Sequence, residues 1–320
     1  MKIKLLIALV CSQFFVQNSN AQNSELISYF KNSGTKVNHV DSADYIRVIS
    51  MPEGMSTLYN VAEYYKNEKI KFSGKSSKVE PLTYEGTVVH YYPTGKRKEI
   101  IPYQNGKKNG DNYRYFENGK IYLHATYQQD ERPGMDYLIV DCMDSTGKVT
   151  VKEGVGHYIG YDGDLKRVME QGDVKEGQRS GKWTGVTGFE KGAMSYTEDY
   201  DAGKLVSGNS TDDNGNNFTY TQRMVQPSFK GGLAGFGRYL GDGIRYPQWE
   251  RQQRIQGRVV ISFVVKPDGN LDDFKVIENP NDRLTAEALR ILKISPKWQP
   301  GVFYGKVVRV SYTVPVAFRL

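Results

Sequence analysis

The sequence predicts a mainly β protein that ends in a small α+β module, and three observations predict it. Between residues 56 and 217, turns of the form aromatic-x-x-Gly-Lys and a second Gly-rich signature recur about every 24 residues between Tyr-rich runs. The closing segment Lys306-Val-Val-Arg-Val-Ser-Tyr-Thr-Val-Pro-Val-Ala-Phe318 puts Val308, Val310, Tyr312, Val314, Val316 and Phe318 on one face, the period of a half-buried strand. Ahead of it, Leu233, Phe236, Leu240 and Ile244, then Leu284, Ala288, Ile291 and Leu292, recur at helical spacing.

At the N-terminus, Met1 to Val16 has a basic start and then an apolar run, too short for the roughly 20 residues that span a bilayer. Ser19-Asn20-Ala21 supplies the small residues of a cleavage site, so residues 1–21 are expected to be a signal peptide cut before Gln22 and the mature chain to be exported to the periplasm. Two alternatives stay open: a lipidated Cys11, although Val10 stands where a small residue is wanted, and an uncleaved anchor, which would associate the chain with the inner or outer membrane. Once the leader is gone, Cys142 stands alone and no internal disulfide can form.

Residues 22–55, with the strand-like Tyr45-Ile-Arg-Val-Ile-Ser50, read as a segment capping the first edge of a sheet that continues through 56–225. The repeat turns are clearest at Tyr92-Pro-Thr-Gly-Lys96 and Phe116-Glu-Asn-Gly-Lys120, with looser copies at Tyr65-Lys-Asn-Glu-Lys69 and Asp144-Ser-Thr-Gly-Lys148. The second signature starts at Gly106, Asp130, Gly154, Gly177 and Gly203, steps of 24, 24, 23 and 26 residues. Asn-Gly and Thr-Gly accept the positive φ of tight turns, so each unit is a β-hairpin. One hairpin cannot bury a core, and the units must therefore join edge to edge in an antiparallel sheet, with Tyr and Phe covering one another. These motifs resemble divergent bacterial MORN-type repeats, which implies a scaffold or interaction surface and no chemistry. Leu205 to Thr221 reads as a polar segment that closes the last repeat and leads into a linker.

Residues 226–320 form the C-terminal module. Gln226 to Gly232 marks its boundary, and Tyr246-Pro247 ends the first helix, leaving room for one or two more turns over 248–255. Strands are expected at 258–265 and 271–278, joined by the turn Pro267-Asp-Gly269, then a helix over 284–294, a loop Ser295 to Gly301 holding a core Trp298, and the final strand. Pro315 has no N–H for a ladder, so that strand should lie at an edge. The module holds 15 Lys/Arg against 8 Asp/Glu, whereas residues 22–225 hold 26 against 28, so the basic character belongs to it.

The order helix, strand, strand, helix, strand, together with Tyr246-Pro247, Ile255-Gln-Gly257, Val265-Lys-Pro-Asp-Gly269, Ala286-x-Ala288, Trp298-Gln-Pro-Gly301 and Gly305 to Pro315, resembles the C-terminal domain of the TonB family. The resemblance implies a TonB-like fold that binds the extended "TonB box" of outer-membrane transporters as a strand added beside its last strand. Carried onto this chain, it implies peptide contacts at Tyr246, Pro247, Gln248 and Trp249 and along the backbone of Val307, Val308, Arg309, Val310, Ser311, Tyr312 and Thr313. Arg245, Arg251, Arg254 and Arg258 are candidates for steering an acidic peptide, or they solvate a surface. A homodimer by strand exchange is a further partner that such an edge allows. TonB-type energy transducers have a membrane-spanning N-terminal helix and a Pro-rich spacer. With a cleavable leader and scattered prolines, this chain is expected to have neither.

No enzyme, cofactor or metal is expected. His39, His90, His124 and His157 show no ligand spacing, no phosphate loop or nucleophile elbow occurs, and Cys142 lies between Asp141 and Asp144, which disfavour its thiolate. An exported chain also makes nucleic acid an unsuitable partner for the basic module. The alternative to peptide capture is a structural envelope protein whose repeats bind a glycan, lipid or protein.

Overall fold

The computed structural model describes residues 25–127 and 137–320. The expected signal peptide and the repeat turn at 130–134 lie outside the described residues. The chain forms two compact units, one up to Val155 and one of Gly156–Leu320.

In the first unit the strands are β1 (Leu26–Phe30), β2 (Lys36–Val37), β3 (Tyr45–Ser50), β4 (Tyr59–Tyr65), β5 (Ile70–Ser76), β6 (Tyr84–Tyr91), β7 (Arg97–Gln104), β8 (Lys107–Lys108), β9 (Gly110–Tyr115), β10 (Ile121–Tyr127), β11 (Tyr137–Met143) and β12 (Val149–Lys152). From β3 to β7 each pairs antiparallel with the next, β7 with β9, and β9 through β12 in turn, while β1 covers the outer side of β3. The repeat turns explain the period. Lys69 Nζ donates to the carbonyl of Thr94 at 2.9 Å and Asn67 Nδ2 to that of Pro93 at 2.9 Å. Two repeats on, Asn118 Nδ2 reaches Ser145 O at 2.9 Å and Lys120 Nζ donates to Thr146 O. The hydroxyls of Tyr65 and Tyr92 reach the carbonyls of Tyr91 and Tyr115, both at 2.7 Å. In the looser copy Glu68 adopts φ 66°, the conformation that Gly95 and Gly119 adopt elsewhere.

The second unit begins one residue into β13 (Val155–Tyr161) and continues with β14 (Val168–Lys175), β15 (Gln178–Val186), β16 (Ser195–Asp201), β17 (Lys204–Thr211) and β18 (Asn217–Tyr220), each antiparallel to the next. Aromatic rings here lie over cross-strand glycines: Trp183 opposite Gly172, Tyr196 opposite Gly185 and Tyr220 opposite Gly208. A Cβ at Gly172 would stand 2.3 Å from Trp183. Beneath the rings Glu198, fully buried, accepts from Arg223 Nε at 2.8 Å, Tyr200 Oη at 3.0 Å and Tyr220 Oη at 2.9 Å. A buried carboxylate is tolerated when its oxygens are filled in this way.

The rest of the unit is β19 (Met224–Val225), α1 (Gly232–Gly243), α2 (Gln248–Gln252), β20 (Gly257–Val265), β21 (Leu271–Glu278), α3 (Asp282–Lys293), β22 (Gly301–Phe303), β23 (Lys306–Val308) and β24 (Val310–Phe318). Its core joins Val259, Ile261, Phe263 and Val265 of β20, Leu284, Ala288 and Leu292 of α3, Val314, Val316 and Phe318 of β24, and Trp298. Asn281 caps α3 by accepting from Arg283 N at 2.9 Å and Leu284 N at 3.1 Å. The Pro267–Gly269 turn closes with Lys266 N donating to Asn270 O at 2.9 Å.

One expectation is corrected. Residues 306–318 are not one strand: the ladder breaks at Arg309, and β23 belongs to a separate small sheet β19-β22-β23. The cause is a hairpin turn at Tyr304 (φ 48°) and Gly305 (φ 80°), both in the left-handed region that a two-residue loop of type I′ needs. Residues 217–220 form β18, which pairs with β17. Replacing Gly172 by Ala forces a methyl into Trp183 and is expected to cost about 1–3 kcal/mol in denaturant unfolding, against near neutrality if the ring can move aside.

Candidate peptide-docking site

The three-stranded sheet of the C-terminal module has the order β21-β20-β24, so both outer strands are edges among the described residues. They differ in kind. β24 pairs with β20 over nine residues in unbroken register, Gly257 opposite Phe318 through Val265 opposite Val310. β21 is irregular at two places against β20 and carries Asp273 at φ 51°. Bulges and the charges of Asp272, Asp273, Lys275 and Glu278 spoil that edge for pairing.

The register fixes which β24 groups are free. Lys266 gives its N–H to Asn270 on the β21 side, and the extra residues at both irregularities lie on β21, so β20 itself alternates regularly. Ser262, Val264 and Val260 therefore turn their backbone groups toward β21, and Ile261, Phe263 and Val265 turn theirs toward β24. On β24, the partners of that second set, Val310, Tyr312 and Val314, are bonded inward. Ser311, Thr313, Pro315 and Ala317 face outward, and their side chains are exposed as well. Pro315 thus sits where a missing N–H costs no internal bond.

Upstream, β23 prolongs the rim. Phe303 lies opposite Lys306 and Gly301 opposite Val308, which leaves the Val307 backbone outward. The hairpin that carries it is seated on the last repeat strands. Tyr304 N donates to Arg223 O at 2.7 Å, and Ser210 Oγ donates to Tyr304 O at 2.6 Å. The Tyr304 ring lies 4.9 Å from Tyr196 and 5.4 Å from Tyr220. Lys306 Nζ binds Asp212 Oδ2 at 2.7 Å. The Lys306 ammonium, with the N–H groups of Asn216 and Asn214, holds the Asp212 carboxyl well below the usual carboxylate range.

Of the residues carried over by resemblance, Val307 to Thr313 lie consecutively along this rim. Tyr246 stands at the other end of β24, its ring 5.7 Å from Phe318 at 90° and its hydroxyl on Ile255 O at 2.5 Å. Pro247 precedes α2, whose Gln248 and Trp249 are exposed, and the Arg283 guanidinium lies 5.6 Å from the Trp249 ring. Arg245 gives its backbone N–H to Glu287 at 2.6 Å, and Arg258 pairs with Glu278 at 3.0 Å. Arg251 and Arg254 point into solvent, and Arg309 pairs with Asp273 at 2.7 Å on the solvent side. Trp298 is buried, its indole N–H on Ser295 Oγ at 3.0 Å. Tyr304, Gly305 and Lys306 were missed as anchors, although Tyr-Gly between two Val-containing runs is a hairpin signal.

No group of three or more His, Cys, Asp or Glu among the described residues could hold a metal, and no described helix is long and apolar enough to cross a membrane. The geometry gives an α+β module with one even, open strand edge among the described residues. Residues 242–320 match the family described as Gram-negative bacterial TonB protein C-terminal. The Protein TonB of Pseudomonas aeruginosa is 29% identical over 75 residues, 23% of this chain and 22% of that protein, so the likeness covers about a fifth of the curated relative. The solution structure of the Helicobacter pylori TonB C-terminal domain is 27% identical, covering 27% of this chain and 90% of that one, with a TM-score of 0.22. Residues 242–320 are thus similar to the C-terminal domain of TonB proteins.

The depressed Asp212 carboxyl gives a signed expectation. Its pairing with Lys306 stabilises the fold fully above the ordinary aspartate range near pH ~4 and fades as pH falls through the depressed value. The stability gap between the natural protein and Asp212→Asn should accordingly narrow on acidification, as followed by denaturant melts. A gap independent of pH would contradict this role.

Proposed function

We propose that this chain is an exported envelope protein whose C-terminal module, residues 226–320, takes up an extended peptide by β-strand addition along Val307 to Thr313. One observation carries the reading: β24 keeps an unbroken nine-residue register with β20 on one side and bears outward main-chain groups on the other. Main-chain bonds supply affinity that depends little on the visitor's sequence, and flanking side chains select. The partner class this favours is an extended, TonB-box-like segment of an outer-membrane transporter, the binding partner of the family that residues 242–320 resemble. The excess of Lys and Arg in the module favours an acidic visitor. No catalysis is assigned to it.

We read the hairpin array of residues 56–225 as MORN-like and as a mount for the module, because the β22–β23 hairpin rests on β17 and β18 through Tyr304 and Lys306. A second reading, ligand binding by the repeats themselves, is favoured by a cleft of about 440 Å³ on β14–β17, lined by Gln171, Thr184, Ser195, Thr197, Asn209 and Thr211 among others. Its neutral hydroxyl and amide groups suit a glycan.

The first reading is tested with the full mature chain and synthetic peptides taken from outer-membrane transporters. Binding by calorimetry, with a Kd between about 1 μM and 1 mM, and photocrosslinking from position 311 are expected. Absence of both with every peptide would sink it.

A further inference from the structure

The outward set on β24 is not uniform. Ser311, Thr313 and Ala317 each present an N–H and a C=O to the open side, whereas Pro315 presents a C=O and, in place of an N–H, its ring carbons. On the inner side the same residue is harmless, because its opposite number, Val260, turns toward β21. The consequence falls wholly on a visiting strand. At position 315 its own carbonyl would meet the pyrrolidine Cδ, unsatisfied and pushed away from the rim. At the other end the rim continues past the break at Arg309 to Val307, on a hairpin fixed by Tyr304 and Lys306.

We propose that Pro315 is a stop that closes the docking edge: an extended peptide pairs along 307–313 and cannot carry its ladder on to Ala317. This rests on the strand-addition reading and adds the length and register of what that edge accepts. The visitor is a short segment whose paired part spans about seven residues at most, counted one to one along the rim. Long strands, including a second copy's β24 laid end to end, are disfavoured. The stop accounts for a paradox of the fold, an even and open strand edge that would otherwise invite indefinite pairing. Whereas β21 is guarded by bulges and charges, β24 is guarded at one position only, which leaves the stretch before it usable.

The test follows amide hydrogen exchange by NMR in the full mature chain. The probe is a capped twelve-residue peptide of alternating threonine and valine with glutamate at both ends. In the natural protein the amides of Ser311 and Thr313 should become protected while that of Ala317 keeps its free-state exchange. With Pro315→Ala, protection should spread to positions 315 and 317 and the affinity should rise by at least about twofold to tenfold, the worth of the first added hydrogen bond. Protection of Ala317 equal to that of Ser311 in the natural protein overturns the stop. So does an unchanged footprint and affinity in Pro315→Ala. If neither protein protects 311 and 313, strand addition itself fails, a different result from failure of the stop. Should Pro315→Ala not fold, the footprint on the natural protein decides alone.

Discussion

The nine-residue pairing of β20 with β24 is the constraint on which the C-terminal module depends. It places Val259, Ile261, Phe263 and Val265 beside Val314, Val316 and Phe318 in one buried layer, against Leu284, Ala288 and Leu292 of α3. Because side-chain and hydrogen-bond directions alternate together along a strand, burying those residues commits their backbone groups to β20. The same alternation turns Ser311, Thr313, Pro315 and Ala317 outward with both side chain and backbone in solvent. Core and open rim are thus two results of one register. A slip by one residue would exchange them and expose Val314 and Val316.

A second layer of organisation fixes the upstream half of the rim. The β22–β23 hairpin is gripped through its own backbone at Tyr304 and through the Lys306–Asp212 pair. Gly305 lies so close to β18 that a Cβ there would stand 2.9 Å from Thr219 O. Below it, Glu198 and Arg223 neutralise each other among Tyr196, Tyr200 and Tyr220. Such a network tolerates little rearrangement, since removing Arg223 leaves the Glu198 carboxylate buried without its cation. Residues of and beside β17 and β18 therefore hold the beginning of the open edge, and β20 holds the end.

Much of this could be read from the residues. Gly-Lys turns between tyrosine runs announce hairpins, the Leu284 to Leu292 stripe announces α3, and Pro315 in an alternating run announces an edge. What stayed hidden depended on contacts across the fold. Lys69 and Lys120 spend their ammonium groups on carbonyls one repeat away, a contact that the turn motif itself does not encode. Gly172, Gly185 and Gly208 make room within strands for Trp183, Tyr196 and Tyr220, a cross-strand fit that needs the register to be known. The apolar alternation from 308 to 318 runs through Arg309 without a blemish, so periodicity alone could not reveal that two different sheets share it.

The central claim is that the outer backbone groups of β24 are free in the folded chain and are what a peptide binds. Thr313→Pro tests this most directly, because it removes an outward N–H and no inward one. The account predicts a variant whose thermal unfolding stays close to that of the natural protein and whose peptide affinity falls at least about twofold to tenfold, the worth of one lost hydrogen bond. A folded Thr313→Pro that binds peptide like the natural protein, or one that unfolds because the N–H was holding β20, would contradict it.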